Sequence, residues 1–187
     1  MFQSWNAALI SPLTAGPLVV NTTVASTLLP PFAIIPIPGG FLNIGSALRI
    51  TACGAISNVA TTPGTLTLDV RLGSAIVWSS GPMNLSLTAH TSAPIWYQIL
   101  LTARTVGQTT QATLMGQGIA TSQALSLNGT ADAGNGLPTI LMPNTAPAVG
   151  AGFDSTINNA FNHVATFSVN TPTTSMILHQ IVLESLN

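Results

Sequence analysis

The side chains able to do chemistry are few. They are one thiol, Cys53; three imidazoles, His90, His163 and His179; four carboxylates, Asp69, Asp132, Asp154 and Glu184; and three guanidinium groups, Arg49, Arg71 and Arg104. A cysteine nucleophile needs a base within hydrogen-bond reach and a third group to orient that base. Cys53 alternates with Ala52 and carries no local signature, so it reads as a small half-buried thiol. Glycoside hydrolysis needs two placed carboxylates. The four acids share no motif and read as caps, turn residues or ion-pair partners. No two histidines have ligand-pair spacing, although one histidine from each of three subunits can meet on a threefold axis. The loop GTADAGNG (129–136) has too few oxygen-bearing charges for calcium. These residues predict no enzyme, no cofactor and no metal.

Charge points away from other partners as well. Charged residues make up 4% of the chain, lysine is absent, and the net charge is −1, against about 25% charged residues in an ordinary soluble domain. Three scattered arginines cannot neutralise a phosphate backbone, so nucleic acid is not an expected partner. Mean hydropathy is +0.53, yet the most apolar window, LLPPFAIIPIPGGFL (28–42), is broken by four prolines and two glycines and cannot form a spanning helix. The opening MFQSWNAALISPLTAGPLVV has no cation and two prolines, unlike a secretory signal. A membrane is therefore not expected. A single cysteine forms no internal disulfide. A surface this poor in charge does not resist association, which predicts that much of it is interface.

The elements that must position these residues are strands. In ALRITACGAIS (47–57), Leu48, Ile50 and Ala52 alternate with Arg49, Thr51 and Cys53, the period of a half-buried strand. Thr62-Pro63-Gly64-Thr65 fits a type II turn. After it, Leu66, Leu68, Val70 and Leu72 face one way and Thr67, Asp69 and Arg71 the other. Gly73-Ser74 returns the chain into AIVW (75–78) as a hairpin. Further strands are expected at 82–88, 94–106, 112–127, 162–169 and 175–186. Glycines in 112–127 read as bulges. Residues 128–136 read as a loop, 141–153 as a long connection, and 153–163 as holding a short helical turn capped by Asp154. Trp78, Trp96 and Tyr97 fall in strands, as core or interface residues; Trp5 lies near the start.

Residues 1–45 differ. They are proline-rich, apolar and uncharged, and each proline favours extended backbone. They predict an arm lying across the body or across a neighbouring subunit, with a short strand at 18–24. Its contact residues are Leu29, Pro30, Pro31 and Phe32, then Ile34, Ile35, Ile37 and Phe41. Residues 46–187 predict an all-β fold, a single jelly-roll-like antiparallel sandwich. Within it, Asp69 pairs with Arg71, Arg49 or Arg104 across neighbouring strands as a charge network.

Five segments, GFLNIGSALRITACGAIS (40–57), TTPGTLTLDVRLGSAIVWSSGPMNL (61–85), PIWYQILLTAR (94–104), GFDST (152–156) and ILHQIVLESLN (177–187), resemble virion structural proteins of tailed bacteriophages over about residues 40–187. Their order also looks like the jelly-roll modules of tumour-necrosis-factor-like proteins, which are commonly trimeric. The resemblance implies a virion component: a homotrimeric cement or decoration protein bound to the major capsid protein on the outer capsid surface. Its alternative is a tail- or fibre-associated module that binds a host-surface glycan through exposed aromatics on loops.

Overall fold

The computed structural model describes residues 7–127 and 137–186. Thirteen strands form two antiparallel sheets. The first four are short: β1 (Ala7–Ile10), β2 (Val19–Val20), β3 (Ser26–Thr27) and β4 (Pro36–Ile37). Next come β5 (Ala47–Asn58), β6 (Thr65–Leu72), β7 (Ala75–Ser79), β8 (Met83–Asn84) and β9 (His90–Thr105). The last are β10 (Thr113–Ser122), β11 (Thr139–Met142), β12 (Asn159–Phe167) and β13 (Ser175–Ser185). The larger sheet runs β1-β13-β5-β9-β10-β11, with β2 also on β13; the smaller runs β3-β12-β6-β7, with β4 on β12 and β8 on β6.

The pairings are nested. The β6–β7 hairpin is innermost and belongs to the smaller sheet. Outside it lies β5–β9 in the larger sheet, then β3–β12 in the smaller, then β1 and β2 against β13 in the larger. A ribbon of antiparallel pairs wrapped alternately onto two sheets is the jelly roll. β10 and β11 lie outside this wrap and extend the larger sheet beyond β9.

Alternation explains the layers. Ile50, Leu66, Leu68, Ile99, Phe161 and Leu183 are fully buried between the sheets, while their sequence neighbours face out, as a period of two requires. The turns carry the chemistry their geometry needs: Gly64 (φ 73°) follows Pro63, and Gly73 (φ 60°) closes the β6–β7 hairpin. In β13 the register slips between Leu178 and Gln180. This bulge resets the phase, so Met176 and Leu178 point inward before it and Ile181 and Leu183 after it.

The structure differs from the expectations in four places. Residues 7–45 do more than lie across the body: they supply strands to both sheets, and Leu28, Leu29, Ala33 and Ile37 belong to the same core as β5–β13. Residue 45 is thus a boundary of composition and not of packing. The helical turn among the described residues of this segment is 3-10, Pro31–Ala33. Residues 153–163 hold no helix; Asp154 caps a turn, and β12 begins at Asn159. The glycines of β10 are not bulges, since the slip lies between Thr113 and Leu114. Segment 141–153 is not wholly irregular: its start is β11, and Val149 and Phe153 bridge to Met115 and Ala112.

Candidate interaction face

The two outer faces of the sandwich differ in character. On the smaller sheet the outward residues are mainly polar, with Val164 and Ile76 as exceptions. Thr67, Asp69 and Arg71 of β6 lie opposite Thr166, Val164 and Asn162 of β12, and Thr27 donates to Asn162 Oδ1 at 2.7 Å. Asp69 is buried within this face, with Oδ2 3.7 Å from Arg71 Nη2.

The outer face of the larger sheet carries large apolar side chains among uncharged polar ones. Register places Val182, Thr51, Gln98, Ile119 and Leu141 in one row across five strands. The row on one side holds Gln180, Cys53, Trp96, Thr121 and Thr139; the row on the other holds Glu184, Arg49, Leu100 and Gln117. Trp96 is 41% exposed, Leu100 47%, Ile119 36% and Leu141 56%. The charges within these rows cancel: Arg49 Nε donates to Glu184 Oε2 at 2.8 Å. This bond, with the attraction between the two charges, raises the Arg49 pKa and lowers that of Glu184. Arg104 is exposed further along β9 and makes no ion pair among the described residues.

The expected charge network is therefore divided. Asp69 and Arg71 belong to the smaller sheet, Arg49 and Arg104 to the larger. Asp69 keeps its strand neighbour but reaches neither of the other arginines. Arg49 instead takes Glu184, a partner the sequence reading did not assign.

The arm residues fall into three groups. Leu29, Pro30 and Ile37 are buried against their own chain and are not available to another subunit. Ile34, Ile35 and Phe41 are half-buried, and only Pro31 and Phe32 are exposed. Phe32 borders a groove of about 170 Å³ with Leu9, Leu13 and Ile35.

The candidate chemical groups remain scattered. Cys53 Sγ lies 3.4 Å from Gln180 Oε1. Asp154 accepts from Thr109 N, Thr156 N and Thr156 Oγ1 at 2.9, 2.9 and 2.6 Å, and these bonds lower its pKa. His179 is exposed at the β13 bulge. His163 is fully buried and meets Tyr97, so it cannot reach a subunit axis. No three His, Cys, Asp or Glu side chains converge among the described residues. Trp5, Asp132 and the loop 129–136 lie outside them. A second groove, about 280 Å³, runs along Ile76, Trp78, Pro143 and Val149, and no ionisable side chain lines it. No helix among the described residues is long and apolar enough to cross a membrane.

Compared with known proteins, the chain matches no family model and no curated sequence.

Proposed function

We propose that the chain is a structural component of a bacteriophage virion: a homotrimeric cement or decoration protein that binds the major capsid protein on the outer capsid surface and adds buried contacts between capsomers. One observation carries the self-association: the outer face of the larger sheet exposes Trp96, Leu100, Ile119 and Leu141 on three adjoining strands around Gln98, and its Arg49–Glu184 charges cancel. Exposed apolar side chains clustered in this way mark an interaction site. The jelly-roll wrap supports the reading, as does the resemblance of the segments at 40–57 and 61–85 to phage virion proteins. The contact assigned to the arm from sequence moves largely to this face, because most of the arm's apolar side chains are used by its own core.

Light scattering of the purified protein tests the assembly, and co-sedimentation with undecorated capsids tests the partner. A trimer mass and saturable capsid binding are expected. Leu100→Glu with Leu141→Glu should give a monomer with little change in melting temperature, since both side chains are exposed. A wild-type monomer at all concentrations refutes self-association; a trimer that ignores capsids refutes the cement role. A glycan module would instead bind on a glycan array. That reading calls for aromatics clustered on loops, whereas Trp96 is mid-strand in β9.

A further inference from the structure

Tyr97 and His163 meet in the middle of the sandwich. Tyr97 comes from β9 of the larger sheet and His163 from β12 of the smaller, and both are fully buried. The phenol oxygen lies 2.7 Å from Nε2, and the ring centroids are 5.6 Å apart. Nδ1 lies 3.0 Å from the backbone oxygen of Asp69. A carbonyl only accepts, so Nδ1 carries the proton and Nε2 presents its lone pair to the Tyr97 hydroxyl. In this arrangement the Tyr97 hydroxyl donates, and it can do so only to a neutral imidazole.

Among the described residues no counter-charge faces that ring. From β6 it meets the Asp69 carbonyl; the Asp69 carboxylate and Arg71 lie on the far side of that strand, and Val70 stands opposite His163 in register. Cys53 of β5 and the Arg49–Glu184 pair lie on the outer face of the other sheet. The inward residues of β13, Met176, Leu178, Ile181, Leu183 and Ser185, carry no charge, and neither do Leu28 and Leu29 of the segment beside β12. Among the described residues, Tyr97 is the titratable side chain that touches the imidazole.

We propose that the Tyr97–His163 pair is an acid-sensitive latch between the two sheets: protonation of His163 removes the acceptor of the buried Tyr97 hydroxyl, strands a cation in the core, and parts the sandwich. Burial supports this by holding the imidazole neutral down to about pH 4. The unfolded chain takes up its proton first, near 6.5. Stability is therefore full above that pH and declines as pH falls from about 6.5 to about 4. A shift from 6.5 to about 4 raises the unfolding constant about thirtyfold between pH 7.5 and 5. The lowered carboxylates, Asp154 and Glu184, act at more acid pH.

The test is urea unfolding of the intact protein at pH 7.5, 6.5, 5.5 and 5.0, for wild type and His163→Gln. Glutamine can still donate to the Asp69 carbonyl and accept from the phenol, but it does not titrate. Wild type should lose stability across this range and the variant should lose little. Equal losses in the two proteins overturn the latch. The His163 Cε1–H resonance of folded wild type provides a second measurement if the variant does not fold. A resonance that stays unprotonated down to pH 5 supports the latch, and a midpoint near 6.5 overturns it.

Discussion

Trp78 of β7 packs against Gly116 of β10, so that a side chain in the smaller sheet occupies the space a residue in the larger sheet leaves empty. A Cβ at Gly116 would lie 2.9 Å from Trp78 Cδ1, 2.4 Å from Leu101 Cδ2 and 2.9 Å from the Leu100 carbonyl. The last of these is backbone and cannot rotate away. Gly116→Ala should therefore destabilise the fold by about 1–3 kcal/mol, the usual cost of overpacking. Near-UV circular dichroism should report a displaced Trp78. An alanine variant as stable as wild type would show that the sheets have slack at this point.

Asp69→Ala tests the ion pair on the smaller sheet. The Asp69 side chain is 10% exposed and that of Arg71 29%, and Arg71 Nε is buried without a partner. Exposed pairs contribute about 0–1 kcal/mol and breaking a buried pair costs about 3–5 kcal/mol; this pair lies between, so a loss of about 1–3 kcal/mol is expected in denaturant unfolding. Arg104→Ala, at an exposed site, should change stability by less than about 0.5 kcal/mol. Equal effects from the two substitutions would mean that Asp69 and Arg71 do not stabilise one another.

The strands were legible wherever alternation ran for several residues, as in β5, β6, β9 and β13. Within β12, expected at 162–169, the buried Val164 blurs the alternation, and the role of His163 depends on Tyr97, 66 residues away. Glu184 was hidden as the partner of Arg49 for the same reason, the separation being 135 residues. β4 falls among prolines and β11 has only four residues, too few to establish a period. Gly116 resembled a bulge because nothing local shows that an indole from the opposite sheet fills its space. The apolar character of 28–42 was plain in sequence, but not whether it served the chain's own core or another subunit.

Leu29 and Phe32 separate those two roles. Leu29 is fully buried and Phe32 is 61% exposed. Leu29→Ala should cost about 2–5 kcal/mol, as core truncations do, and removal of residues 1–40 should prevent folding rather than only assembly. Phe32→Ser should leave the unfolding midpoint nearly unchanged while weakening any contact the arm makes with another molecule. Size-exclusion chromatography beside a melting curve distinguishes the effects. A well-folded protein lacking 1–40 would show that the core closes without Leu28 and Leu29.

Asp154 joins two turns, and its contribution should depend on pH. One carboxylate oxygen accepts from Thr109 N and the other from Thr156 N and Oγ1. These bonds favour the charged form and lower the folded pKa below the ordinary 3.8. A depressed carboxylate stabilises the fold above its unfolded pKa and loses that contribution as pH falls through the folded value. Asp154→Asn keeps one acceptor and turns an N–H₂ toward one of the former donors. It should melt lower than wild type at pH 7, and the gap should narrow as pH falls from about 5 toward 3. A gap that stays constant over that range would mean that the ionised carboxylate is not what holds the turns together.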